Sequence, residues 1–128
     1  MHHPFAEKIG LAVDSQAAGK SETSLTIEPE VHHNPHAVAH GAVLYALADT
    51  GMGAALYPLL QPGEMCATIE IKINYFKPVF SGTLRCTSEV VNRGKSVVHL
   101  ESRIFSDGAL VASAGGHYAV FRARQSSK

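Results

Sequence analysis

The chain has 128 residues, and its eleven basic side chains are balanced by eleven acidic ones. That is about one domain's worth of chain, read as a single domain over residues 1–128. With a pI near 7.1 it has no global charge with which to hold DNA, RNA or an anionic membrane.

The opening MHHPFAEKIG has no basic run followed by an apolar one, so no secretory leader is expected. Residues 3–9 predict a short amphipathic helix with Phe5 and Ile9 on one face. Residues 11–18 and 21–27 predict strands around a Gly19-Lys20 turn, the second with Thr23, Leu25 and Ile27 alternating with polar residues. Residues 28–38 read as a loop punctuated by Pro29 and Asn34-Pro35. A helix then starts near residues 39–41 and closes at Pro58. A second loop over residues 59–64 turns at Pro62-Gly63.

The second half reads as sheet. Residues 66–76 alternate, with Ile69, Ile71, Ile73 and Tyr75 on one face and Thr68, Glu70, Lys72 and Asn74 on the other; Lys77-Pro78 ends the strand. Residues 83–92 and 97–105 meet at the tight hairpin Arg93-Gly94-Lys95-Ser96. Asp107-Gly108 is a second hairpin signal, leading into residues 110–121. The tail RARQSSK is polar and expected to fray. No internal repeat or linker is visible. The fold class is α+β, an antiparallel sheet of about six strands curled around one long helix.

That helix carries the chemistry. Between Gly41 and Gly63 the only side chain charged at neutral pH is Asp49. A helix apolar on nearly every face belongs in a core, and its small residues, Gly51 and Gly53 among them, admit close packing at a cost of roughly 1 kcal/mol per glycine. A carboxylate inside such a helix is costly unless paired, hydrogen-bonded or protonated. The amides at the helix start lack intrahelical partners and, with the helix dipole, suit a developing oxyanion. Asp49 lies eight residues beyond Gly41, roughly 12 Å along the axis at ~1.5 Å per residue. One carbonyl carbon cannot reach both within one helix. Either the two groups serve separate purposes, or Gly41 of one subunit meets Asp49 of another in a symmetric dimer with two shared sites.

The run Asn34, His40-Gly41 and Leu47-Ala48-Asp49 resembles the hotdog-fold acyl-CoA thioesterases of the phenylacetate-degradation type. The resemblance continues through TIEIKINYFKPVFSG, similar to that family's long central strand, and through NRGKS, covering roughly residues 9–122. It implies a hotdog fold, hydrolysis of an aryl- or medium-chain acyl-CoA to free acid and CoA, no cofactor beyond the CoA of the substrate, and a cytoplasmic homodimer assembled as a dimer of dimers. Residue by residue, it implies that the Gly41 amide polarises the thioester carbonyl and that Asp49 of the partner chain acts as nucleophile or general base. Thr68 would orient the water or carboxylate, Asn34 would help place water or thioester, and His40 would support the loop and helix start. Lys77, Arg93, Gly94, Lys95, Ser96 and Tyr45 are the candidates for contact with CoA or the acyl group. The sequence departs from the family pattern at Ala42, the second glycine of its motif, and at Ala37, often glycine; both bear on substrate preference.

Two other readings share the fold. A non-catalytic acyl-CoA sensor would bind without turnover. An enoyl-CoA hydratase would pair an aspartate with a histidine, and His40 and Asp49 are too far apart on one helix for that. His32, His33, His36 and His40 fall within nine residues, but Pro35 and the absence of an HEXXH glutamate argue against zinc, so no metal is assigned. Cys66 and Cys86 lack ligand spacing and are expected as free thiols. The longest apolar stretch contains Asp49, so no bilayer span is expected. His99 and His117 are read as structural residues within strands.

Overall fold

A computed structural model describes residues 2–122. The expected frayed tail falls mostly outside them. The order is α1 (Pro4–Ile9), β1 (Leu11–Ala17), β2 (Lys20–Thr26), α2 (Pro29–His32), α3 (Gly41–Leu56), a 3₁₀ turn (Tyr57–Leu59), then β3 (Glu64–Tyr75), β4 (Thr83–Arg93), β5 (Val97–Ser106) and β6 (Ala109–Arg122). The strands form one antiparallel sheet ordered β1-β2-β4-β5-β6-β3. This is the sheet wrapped around one helix that the sequence predicts. None of the described helices is long and apolar enough to cross a membrane.

Local chemistry explains the element ends. Pro4 opens α1, and Gly10 closes it in the left-handed region at φ 78°. Asp107 (φ 50°) and Gly108 (φ 78°) both take positive φ, the requirement of the two-residue hairpin between β5 and β6. The expected loop over residues 28–38 holds one turn of helix, α2, and an isolated bridge between His33 and Ala39. His32 is buried beneath it: its Nδ1 accepts from the Glu28 amide at 2.8 Å, so Nε2 carries the hydrogen donated to the Ile9 carbonyl at 2.7 Å. His33 Nε2 lies 2.8 Å from the Phe80 carbonyl oxygen. Both imidazoles tie the loop to neighbouring backbone.

Ala37 adopts φ 64°. The loop therefore keeps the conformation a glycine would favour, and an alanine bears the strain. Left-handed backbone costs an L-residue roughly 1–2 kcal/mol, while glycine adds roughly 0.4–1 kcal/mol of unfolded-state entropy. Ala37→Gly is expected to stabilise the protein by up to about 1 kcal/mol, read as a rise in the denaturant midpoint at unchanged slope. A fall in the midpoint would show the strain is not there.

The sheet buries most of α3. Val43, Leu44, Ala46, Leu47, Ala48, Gly51, Met52, Ala55 and Leu56 are buried, whereas Tyr45, Asp49 and Gly53 stay half-covered along one side. Close packing explains Gly51: a Cβ there would lie 2.4 Å from Ser88 Oγ. At Gly53 the nearest atom, in Tyr118, is 4.0 Å away, so crowding does not account for that glycine. Hydroxyls from β2 reach the helix carbonyls, Ser21 to Gly51 at 2.6 Å and Thr23 to Leu47 at 3.3 Å, so the buried polar groups on this face are satisfied.

One difference from the sequence reading matters most. The β3–β6 register shifts between Thr68 and Glu70, leaving Ile69 as a bulge. Thr68 pairs with Tyr118 and Ile71 with Gly116, both on the helix side. Unbroken alternation puts Ile69 with Ile71 and Thr68 with Glu70; instead Ile69 is 54% exposed and Thr68 turns inward. β3, expected as a central strand, is the sheet's edge in the single chain.

Candidate active site

Asp49 lies midway along α3, beneath the β3–β6 pair. Thr68 Oγ1 donates to Asp49 Oδ1 at 2.8 Å. The Tyr118 hydroxyl lies within hydrogen-bond reach of the same Oδ1 and of the Asp49 backbone oxygen, the latter at 2.7 Å. Oδ2 accepts no bond among the described residues, and it is not a sealed, unsatisfied atom. The carboxylate is thus held by one oxygen and open at the other.

Two neighbouring acids stay protonated. Burial, then the bond to Asp49, pushes the Tyr118 phenol far above its usual range, so it remains a donor. Burial, then the Asp49 charge, raises the Cys66 thiol. A nucleophilic cysteine requires the thiolate, so Cys66 is disfavoured as nucleophile although it faces the site. Cys86 is buried and also raised, chiefly by burial; both cysteines are free thiols.

The N-terminal end of α3 holds the second group. His40 is the N-cap, its Nδ1 accepting the Ala42 amide at 2.9 Å. The Gly41 N–H has no hydrogen bond among the described residues. Tyr75 packs on the same residue: the phenol donates to the Gly41 carbonyl at 2.8 Å, and a Cβ on Gly41 would lie 3.0 Å from the phenol oxygen. Burial, then the neighbouring Tyr45, raises the Tyr75 phenol. A cavity of about 310 Å³ opens here, lined by Gly41, Leu44, Tyr75, Phe76, Lys77 and Val79.

Asn34 is turned into its own loop. Its Oδ1 accepts from the His36 amide at 2.9 Å and the Val38 amide at 3.4 Å, the Asn-Pro turn use. Only Nδ2 is left to donate. In the 93–96 hairpin, Arg93 spends its guanidinium on the Gly94 carbonyl at 2.5 Å and the Lys95 carbonyl at 3.4 Å, with Glu64 Oε1 3.8 Å away. Gly94 is dictated by packing, since a Cβ would lie 2.4 Å from the Val97 carbonyl oxygen. The Ser96 carbonyl accepts from the Val120 amide at 2.8 Å. Lys95 is exposed, and Tyr45 is half-buried on α3.

The hairpin sits by Glu64, at the start of β3, and Lys77 just beyond its end at Tyr75. At ~3.3 Å per residue these ends are roughly 35 Å apart. Within one chain, then, Asp49, Thr68 and the hairpin form one set, and Gly41, His40, Tyr45 and Lys77 another. Nothing in the sequence reading found Tyr118. Its signal is faint: among the inward β6 positions 112, 114, 116, 118 and 120 it alone carries a polar tip. His99 and His117 are register partners with ring centroids 4.7 Å apart, and His117 Nδ1 lies 2.5 Å from Glu70 Oε2. Among the described residues no three His, Cys, Asp or Glu side chains are grouped to hold a metal ion.

The family model described as the thioesterase superfamily matches residues 36–113, a span from the Asn34 loop to β6 that includes Gly41, Asp49 and Thr68. The chain belongs to the thioesterase superfamily. Among its relatives, this thioesterase is 26% identical over 110 residues to "Putative esterase ComA2" of Bacillus subtilis, covering 84% of this chain and 85% of that one. The conserved protein PA5202 from Pseudomonas aeruginosa is 29% identical with a TM-score of 0.86, covering 94% and 96% of the two chains. An asparagine-to-aspartate variant of the phenylacetic acid degradation protein PaaI from Thermus thermophilus is 27% identical with a TM-score of 0.84, covering 91% and 98%. The thioesterase thus has the hotdog fold of the phenylacetate-degradation type, and its reaction class is thioester hydrolysis.

Proposed function

We propose that this thioesterase is a cytoplasmic enzyme hydrolysing aryl- or medium-chain acyl-CoA to the free acid and CoA, at sites shared between two copies of the chain. The observation that carries the reading is the carboxylate of Asp49, anchored through Oδ1 and open at Oδ2 midway along α3, with the Gly41 N–H, which has no partner among the described residues, at the N-terminus of the same helix. The separation of the two sets within one chain favours a shared site. So does β3, a 12-residue edge strand with Met65, Ile69 and Tyr75 exposed, running beside the half-covered Asp49. Long apolar edges invite strand pairing. A two-fold pairing there would join Asp49 and the hairpin of one copy to Gly41, the 310 Å³ cavity and Lys77 of the other. Such dimers would pair again as a dimer of dimers.

In the proposed reaction the Gly41 amide donates to the thioester oxygen as negative charge develops there. By the nucleophilic route, Asp49 Oδ2 forms a bond to the acyl carbon, the C–S bond breaks and CoA leaves as thiolate. Water then cleaves the mixed anhydride, returning the carboxylate and releasing the acid. By the general-base route, Oδ2 takes the proton of a water that attacks the same carbon, and that proton passes to the departing sulfur. Both routes use the same oxygen. Neither needs an added cofactor, because thiolate is a good leaving group. The aromatic lining at Tyr75 and Phe76 suits an aryl or medium-length acyl chain. Since Arg93 is committed within its hairpin, Lys95 and Lys77 are the cations offered to CoA phosphates.

A panel of aryl- and medium-chain acyl-CoA substrates, read by release of free thiol, tests the reading. Turnover is expected with kcat/KM at or above about 10⁴ M⁻¹s⁻¹ for the preferred acyl group. Binding of acyl-CoA without any thiol release would replace it with the sensor reading.

A further inference from the structure

We propose that Tyr118 is a positioning residue: by holding Asp49 Oδ1 it makes Oδ2 the oxygen that meets the thioester or the water. The assignment rests on the reading of Asp49 given above and adds to it which oxygen reacts and what holds the other.

Two donors meet on one atom. Thr68 and Tyr118 both direct hydroxyls at Oδ1, while Oδ2 has no partner among the described residues and is not sealed in. They arrive from adjacent strands, paired across the register just before the Ile69 bulge. Thr68 is exposed, whereas Tyr118 is 3% exposed, packed with Ala48 and Met52. A buried phenol has few alternative rotamers, so it fixes the carboxylate plane more firmly than a threonine at the surface. An oxygen with two donors is the less basic and less nucleophilic of the pair, because its lone pairs are already shared. Chemistry is left to Oδ2.

The phenol has one hydrogen and two acceptors, Oδ1 and the Asp49 backbone oxygen at 2.7 Å. With Asp49 ionised, the charge-assisted bond to Oδ1 is the stronger. Once Oδ2 has taken a proton or an acyl group, that charge is gone. The same hydrogen can then turn to the backbone oxygen without any movement of the ring. Tyr118 therefore stays satisfied in both states of Asp49 and costs the reaction no reorganisation. The phenol itself does not ionise, because burial and the carboxylate both hold its proton on.

Tyr118→Phe tests the assignment. It keeps the ring in the core and removes the hydroxyl. The expected result is a folded protein whose kcat falls about 10- to 100-fold with KM changed less than about twofold, because the carboxylate loses its orientation for the chemical step while the contacts that bind substrate are untouched. The acid limb of the kcat/KM profile should move to higher pH, because a carboxylate deprived of a donor is more easily protonated. Placing 3-fluorotyrosine at position 118, a stronger donor of the same shape, should move that limb the other way; this variant also decides the matter if Tyr118→Phe does not fold. A purely structural tyrosine would lower the melting temperature and leave the limb in place. An unmoved limb and an unchanged kcat, in an enzyme that Asp49→Asn inactivates, would overturn the positioning role while leaving the acyl-CoA reading standing. If the wild-type protein hydrolyses no acyl-CoA, that reading falls and takes the reactive role of Oδ2 with it, leaving the hold on Oδ1 to be judged separately. The hold of Tyr118 is then read from the ¹³C carboxyl resonance of Asp49, which should titrate at higher pH in Tyr118→Phe than in wild type.

Discussion

Asp49→Asn is expected to cut kcat on the order of a thousandfold while the protein folds and assembles as before. The new amide has the volume of the carboxylate, and its oxygen still accepts from Thr68 and Tyr118 on the helix side. At the open position, an NH₂ group replaces Oδ2. It has no lone pair able to attack a thioester or to deprotonate water, so both proposed routes fail together. Thiol release at saturating acyl-CoA measures the loss, with size exclusion and thermal melting confirming the fold. More than a tenth of wild-type turnover would remove Asp49 from the chemistry.

The second large effect is a recovery. Gly41→Val places a branched side chain where even a Cβ would meet the Tyr75 phenol at 3.0 Å, at the mouth of the cavity, and should abolish hydrolysis. Refolded together in equal amounts, the inactive Gly41→Val and Asp49→Asn chains should regain about a quarter of wild-type activity. Half the dimers are then hybrids, and each hybrid has one intact site of its two. No recovery, with hybrid dimers demonstrated, would place both groups in separate functions. The experiment is decisive because in a single chain the two groups are eight residues apart on one rigid helix.

Much of this could be read from the residues in order. The buried helix was legible because an apolar run with a single carboxylate has no other stable place, and the hairpins because Asp107-Gly108 and the 93–96 turn carry the residues those turns demand. Gly41 and Asp49 stand out through spacing alone. The face of Thr68 was not legible: a period-2 reading carries no mark of one extra residue, and the Ile69 bulge reverses the sides of everything before it. Tyr118 was hidden for a related reason. It lies 69 residues from Asp49 along the chain, and only the β3–β6 register brings its hydroxyl there. Asn34, legible as a candidate, is found spending its carbonyl on its own loop. Arg93 likewise turns back on its hairpin.

By itself the sequence determined the class of the protein: an α+β fold, a helix too apolar to lie anywhere but inside, and an acid and an amide held too far apart to serve one carbon from one chain. These follow from local propensity and from the fixed rise of a helix, which depend on neighbours in the chain. Only the tertiary structure decided how that acid is held, which of its oxygens is free, and which edge stands open beside it. Those outcomes depend on strand register, a balance of many weak pairings in which one inserted residue changes the side on which every preceding side chain lies.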